Sequence, residues 1–136
     1  MIKNRVLLSV MLILIIGITG CGNNKKSDEV SNTASVNKID AEIAMEMMAS
    51  GDSYVLVDVR TQAEFDEGHI EGALLLPNDQ IETLAIEQLT DKDAVILVYC
   101  RSGNRSAIAS QLLIDLGYTN IYDFGGITDW QGEIVK

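Results

Sequence analysis

The chain has little room and few of the residues that define special architectures. At 136 residues it holds two cysteines, one proline, one histidine and one tryptophan. There is no length for a second ordinary domain once the first twenty residues are set aside, and two cysteines cannot build a disulfide-dense scaffold. One proline and eleven glycines in a chain that is 47% hydrophobic exclude a disordered or low-complexity composition. Basic residues are scarce: ten Lys and Arg stand against twenty Asp and Glu, for a formal charge of −10. Nucleic acid and bare anionic lipid would be repelled by such a surface and are excluded as partners. The long hydrophobic run is also too short to matter as a permanent span. It covers residues 6–18, where a bilayer needs about 20.

What that run does have is a setting. Lys3 and Arg5 precede it, and Ile18-Thr19-Gly20-Cys21 closes it, which is the layout of an export signal. The last four residues resemble the bacterial lipoprotein signal. The resemblance implies removal of residues 1–20, lipidation of Cys21 and an extracytoplasmic protein anchored to a bacterial membrane through lipid alone. Loss of two cations, Lys3 and Arg5, from a formal −10 would leave −12 on the mature chain. Residues 22–36, rich in Asn, Ser, Lys, Asp and Thr and lacking aromatics, read as a flexible tether with a reach on the order of 20 Å. Domain boundaries follow at 1–20, 21–36 and 37–136.

If Cys21 carries lipid, Cys100 is the one free thiol. A lone cysteine is often a small buried hydrophobe, so its surroundings decide its meaning. Residues 94–99, Ala-Val-Ile-Leu-Val-Tyr, are an unalternating apolar run suited to a strand covered on both faces, as is the shorter run at 54–57. Helices are predicted from Asp40 as cap to about Ser50, over residues 61–67 as a short polar turn, over 79–89, and over 106–116, where Ile108, Leu112, Leu113 and Leu116 should line one face. Short strands are predicted at 73–76 and 121–124. This alternation predicts an α/β domain with a parallel sheet flanked by helices on both faces.

Cys100 then falls at the carboxyl end of the most apolar strand, just before a helix, where open α/β sheets bind ligands. Gly103 and Asn104 allow left-handed backbone, so the stretch from Arg101 to Arg105 can curl its N–H groups toward one point. With a helix N-terminus and two arginines nearby, a thiolate is favoured over the thiol.

Several stretches now carry a family resemblance: Asp58-Val59-Arg60; Glu64-Phe65 with Gly68-His69-Ile70-Glu71-Gly72-Ala73; Tyr99-Cys100-Arg101-Ser102-Gly103-Asn104-Arg105-Ser106; Gly117-Tyr118; and Gly125-Gly126-Ile127 with Trp130. In that order they resemble the rhodanese family of sulfurtransferases over residues 37–136. The resemblance implies that Cys100 is the catalytic nucleophile and that Arg101, Ser102, Gly103, Asn104, Arg105 and Ser106 form the substrate-binding loop. It implies sulfane-sulfur transfer from a small anionic donor, thiosulfate or polysulfide, through a Cys100 persulfide to a thiol or cyanide acceptor, without metal or organic cofactor and in a monomer. Two other readings stay open. One is a cysteine-dependent phosphatase or arsenate reductase, whose loop holds one residue more than the four between Cys100 and Arg105. The other is a non-catalytic rhodanese-like binding module. Asp58 and Arg60 read as structural, with Arg60 expected to pair with Glu64 four residues on. His69 reads as scaffold, and Trp130 as a core plug.

Overall fold

The computed structural model describes residues 33–136. The signal segment, Cys21 and most of the tether lie outside the described residues. Within them, the elements run β1 (Asn37–Lys38), α1 (Ala41–Ala49), β2 (Val55–Asp58), α2 (Gln62–Glu67), β3 (His69–Ile70), β4 (Leu74–Leu75), α3 (Ile81–Gln88), β5 (Val95–Cys100), α4 (Asn104–Asp115), β6 (Asn120–Gly126), a 3-10 turn (Ile127–Asp129) and β7 (Ile134–Val135). Five strands form one parallel sheet in the order β1-β6-β5-β2-β4. The predicted class, α/β with a parallel sheet between helices, is what is found. None of the described helices is long and apolar enough to cross a membrane.

β5 is central in that sheet, which explains its composition. Alternate residues go to opposite faces of a strand, so a centrally placed strand with helices on both sides must be apolar throughout. Ile96, Val98 and Cys100 join α3 and α4 residues such as Ile81, Ala85, Ala109 and Leu113 in one cluster. Leu97 and Tyr99 join Ala41, Ala44 and Phe124 in the other.

Local signals place most boundaries. The Asp40 carboxylate accepts from the Ile43 N–H at 2.9 Å and starts α1. Thr61 and Glu64 cap each other's backbone at the head of α2, an arrangement that satisfies two otherwise orphaned N–H groups.

Two expectations need correction. α4 begins at Asn104 rather than 106, because left-handed Gly103, at φ 104°, is the residue that turns the chain into the helix. Its buried stripe is Ser106, Ala109, Ser110 and Leu113, while Ile108 is 55% exposed. The shift of start and the two small serines on the inner side rotate the packed face away from the residue that hydropathy favoured. One pairing after Gly126 was not predicted. β7 returns to pair antiparallel with β3, His69 opposite Val135, a contact of such short segments that no periodicity announces it. Trp130 is half-buried and packs on Phe124, with ring centroids 5.8 Å apart.

Candidate active site

β2 and β5 are neighbours, with Asp58 in register with Tyr99. Their carboxyl ends therefore deliver Asp58 and Cys100 to the same edge. The pairing of β5 with β6 is irregular between Val98 and Cys100 and resumes with Cys100 opposite Gly126. Such irregularities re-aim a side chain where a ladder ends. Gly126 is obligatory there for another reason: a Cβ would collide with the Arg101 carbonyl oxygen and stand 2.7 Å from the Ser102 Cα. The loop rests directly on β6.

Cys100 is 1% exposed, which by itself opposes ionisation. Burial pushes the thiol up, but hydrogen bonds from the Ser106 backbone and hydroxyl, and from the backbones of Gly103 and Ser102, outweigh it and leave the group below its ordinary value. The Gly103 N–H donates to Sγ at 3.0 Å. These donors are fixed by the fold, so they stabilise negative charge without having to reorganise.

The Ser106 hydroxyl, itself fully buried, lies 3.1 Å from the Gly103 carbonyl and 3.2 Å from that of Gly125. One hydroxyl has one proton, so these oxygens and the sulfur compete for it. Thr128 secures the other side, donating through its N–H and its hydroxyl to the Arg101 carbonyl at 3.3 and 3.1 Å. Sequence reasoning missed Thr128, and nothing in a lone threonine past a Gly-Gly turn would have marked it.

Arg101, Ser102 and Asn104 are exposed, and Arg105 is partly so. Arg105 gives both η nitrogens to Glu64, at 2.7 and 2.8 Å. Glu64 is the residue expected to hold Arg60, and the structure overturns that pairing. Arg60 instead wraps back on Asp58, its Nη2 2.7 Å from Oδ2 and its Nε 3.0 Å from both oxygens, while Nη2 also donates to the Gly68 carbonyl at 2.8 Å. Helical spacing did not apply because Arg60 lies before α2 rather than in it. Hydrogen bonds from Arg105, opposed by partial burial and aided by Thr61, hold the Glu64 carboxyl down at about 2.

His69 does not reach the loop: its Nδ1 is 2.9 Å from the Phe65 carbonyl and its ring stacks on Phe65. Among the described residues no group of three or more His, Cys, Asp or Glu side chains is placed to hold a metal. A depression of about 190 Å³ opens beside Arg105, between Thr61, Pro77 and Asn78. A larger hollow of about 440 Å³, lined by Met47, Tyr54 and Tyr122, lies at the amino ends of the strands and has none of this chemistry.

A parallel α/β sheet presents a buried cysteine, surrounded by backbone N–H groups, at the carboxyl end of its central strand. The model of the rhodanese-like domain matches residues 40–133, and the chain belongs to that family. Among its relatives, a sulfurtransferase of Allochromatium vinosum is 42% identical over 96 residues, covering 70% of this chain and 88% of the relative. The thiosulfate sulfurtransferase PspE of Escherichia coli is 30% identical over 73 residues, covering 54% and 70%. A solved human single-domain sulfurtransferase superposes with a TM-score of 0.57 at 28% identity, over 65% of this chain and 88% of that one. The family and the named activity of these relatives support the rhodanese-type class of enzyme.

Proposed function

We propose that the protein transfers sulfane sulfur through a persulfide on Cys100. The carrying observation is that Sγ, almost fully buried, accepts from the Gly103 N–H at 3.0 Å and is held toward the thiolate by the loop. A thiolate attacks the outer sulfur of the donor, the sulfur–sulfur bond of the donor breaks, and its remaining fragment leaves with the electron pair. The acceptor, a thiol or cyanide, then attacks the outer sulfur of the persulfide and regenerates the thiolate. Backbone N–H groups that hold the thiolate also suit the terminal sulfur of the persulfide anion. No metal or cofactor enters these steps.

Intact mass spectrometry tests the proposal: incubation with thiosulfate or polysulfide should add one sulfur atom at Cys100, removed by cyanide or a thiol. Retention of phosphate-ester turnover without sulfur loading would favour the phosphatase alternative, and partner binding that survives Cys100→Ser without turnover would favour a binding module. We further infer a monomer that is exported and anchored through lipid on Cys21. The reading of export and anchoring rests on Ile18-Thr19-Gly20-Cys21 at the end of the apolar run. Metabolic fatty-acid labelling that disappears in Cys21→Ser would support it, and unchanged labelling would contradict it.

A further inference from the structure

The loop offers an anionic donor fewer cations than its sequence suggests. Arg60 is 6% exposed and engaged by Asp58 and the Gly68 carbonyl. Arg105 presents both η nitrogens to Glu64, and that carboxylate is itself fixed by the Thr61 N–H and hydroxyl, each 3.0 Å from Oε2. The Glu64 side chain is 21% exposed and that of Arg105 33%, so the pair is partly open to solvent and its hold on the guanidinium rests on the paired geometry of the contact. Glu64 takes two of the five guanidinium donors and neutralises the charge, so a sulfonate approaching Arg105 meets a cation already paired. What remains is Arg101, exposed and hydrated, where attraction is screened.

We propose that Glu64 is a specificity-determining residue which, by occupying Arg105, directs the Cys100 loop toward organic persulfide donors and away from donors with an oxyanion head such as thiosulfate. This deepens the sulfurtransferase reading and rests on it. The reaction with an organic persulfide is balanced without further reagents: the Cys100 thiolate and R–S–SH give Cys100–S–SH and R–S⁻. The thiolate leaving group needs no sulfonate clamp. The depression beside Arg105, walled by Val59, Thr61, Pro77 and Asn78, gives the R group a mixed apolar and polar surface to lie against. With thiosulfate the departing fragment is sulfite, a dianion whose charge calls for the guanidinium that Glu64 holds.

The test is single-turnover and steady-state sulfur loading with two probes, glutathione persulfide and thiosulfate. Wild type should show the larger kcat/KM with the persulfide. Glu64→Gln removes the competing charge, and the thiosulfate to persulfide ratio of kcat/KM should rise about tenfold, mainly through a lower thiosulfate KM, as expected for one charge-assisted hydrogen bond made available. Glu64→Ala supplies a second arm should the first variant not fold: it too frees the guanidinium and should raise the same ratio. An unchanged ratio in the Glu64 variants would overturn the inference while leaving the persulfide mechanism intact. Loading of wild type by neither donor would overturn both.

Discussion

The turn after β2 and the loop after β5 lie side by side at one edge of the sheet and handle charge by opposite means. In the first, charge meets charge: Asp58 is fully buried and Arg60 nearly so, with the guanidinium also lying 5.6 Å from the centroid of the Tyr99 ring. There the two charges are spent mainly on each other. In the second, the Cys100 sulfur faces N–H groups and one hydroxyl that bring its pKa below the ordinary value, and these are dipoles rather than countercharges. In the proposed mechanism a sulfur held this way keeps its nucleophilic electrons available and can exchange one anionic form for another. The difference separates a structural ion pair from the proposed reactive site, although both were marked by charged residues at strand ends.

Substitutions break the comparison at either side. Cys100→Ser has the largest functional effect: sulfur loading should vanish entirely, while circular dichroism and thermal melting stay near wild type. Asp58→Ala strikes the other side. It leaves a guanidinium buried without its partner, at a cost of about 3–5 kcal/mol, to be read from urea unfolding; stability as wild type would show the pair to be incidental. Ser106→Ala removes one of the donors to sulfur, and its hydroxyl is buried at both carbonyls. The variant should raise the midpoint of Cys100 alkylation against pH and slow alkylation at neutral pH about tenfold, equivalent to one net hydrogen bond to a charged group. An unmoved midpoint would assign the activation to the backbone alone.

The smallest effect belongs to the pair that joins the two regions. Glu64 has its carboxyl held at about 2 against an ordinary 4.5. Its folded value is the lower one, so its stabilisation is present above pH 4.5 and is lost as pH falls toward 2. Unfolding of wild type and Glu64→Gln should therefore converge over that interval, the difference above it being at most about 1 kcal/mol for a pair open to solvent.

Much of this was legible beforehand for physical reasons. The apolar runs at β2 and β5 reported strands buried on both faces, Asp40 reported a helix start, and Cys100 after a β-rich run reported the sheet edge. What was not legible depended on tertiary placement. Glu64 is four residues from Arg60 but forty-one from Arg105, and only the packing of α2 against the start of α4 makes the distant arginine the partner. Thr128 and the β3–β7 pairing likewise act across separations that carry no periodic trace. Ile108 misled because hydropathy ranks it above the serines, whereas the close approach of α4 to β5 and β6 favours small residues.

The claim on which the rest depends is that the loop holds Cys100 as an anion despite its burial. Its most direct test is the rate of alkylation of Cys100 as a function of pH, followed by mass spectrometry in the folded protein. Because burial alone raises a thiol and the loop donors lower it, the midpoint should fall below the free-thiol value of about 8.5, with reactivity lost as pH drops through it. A midpoint at or above that value would contradict the account.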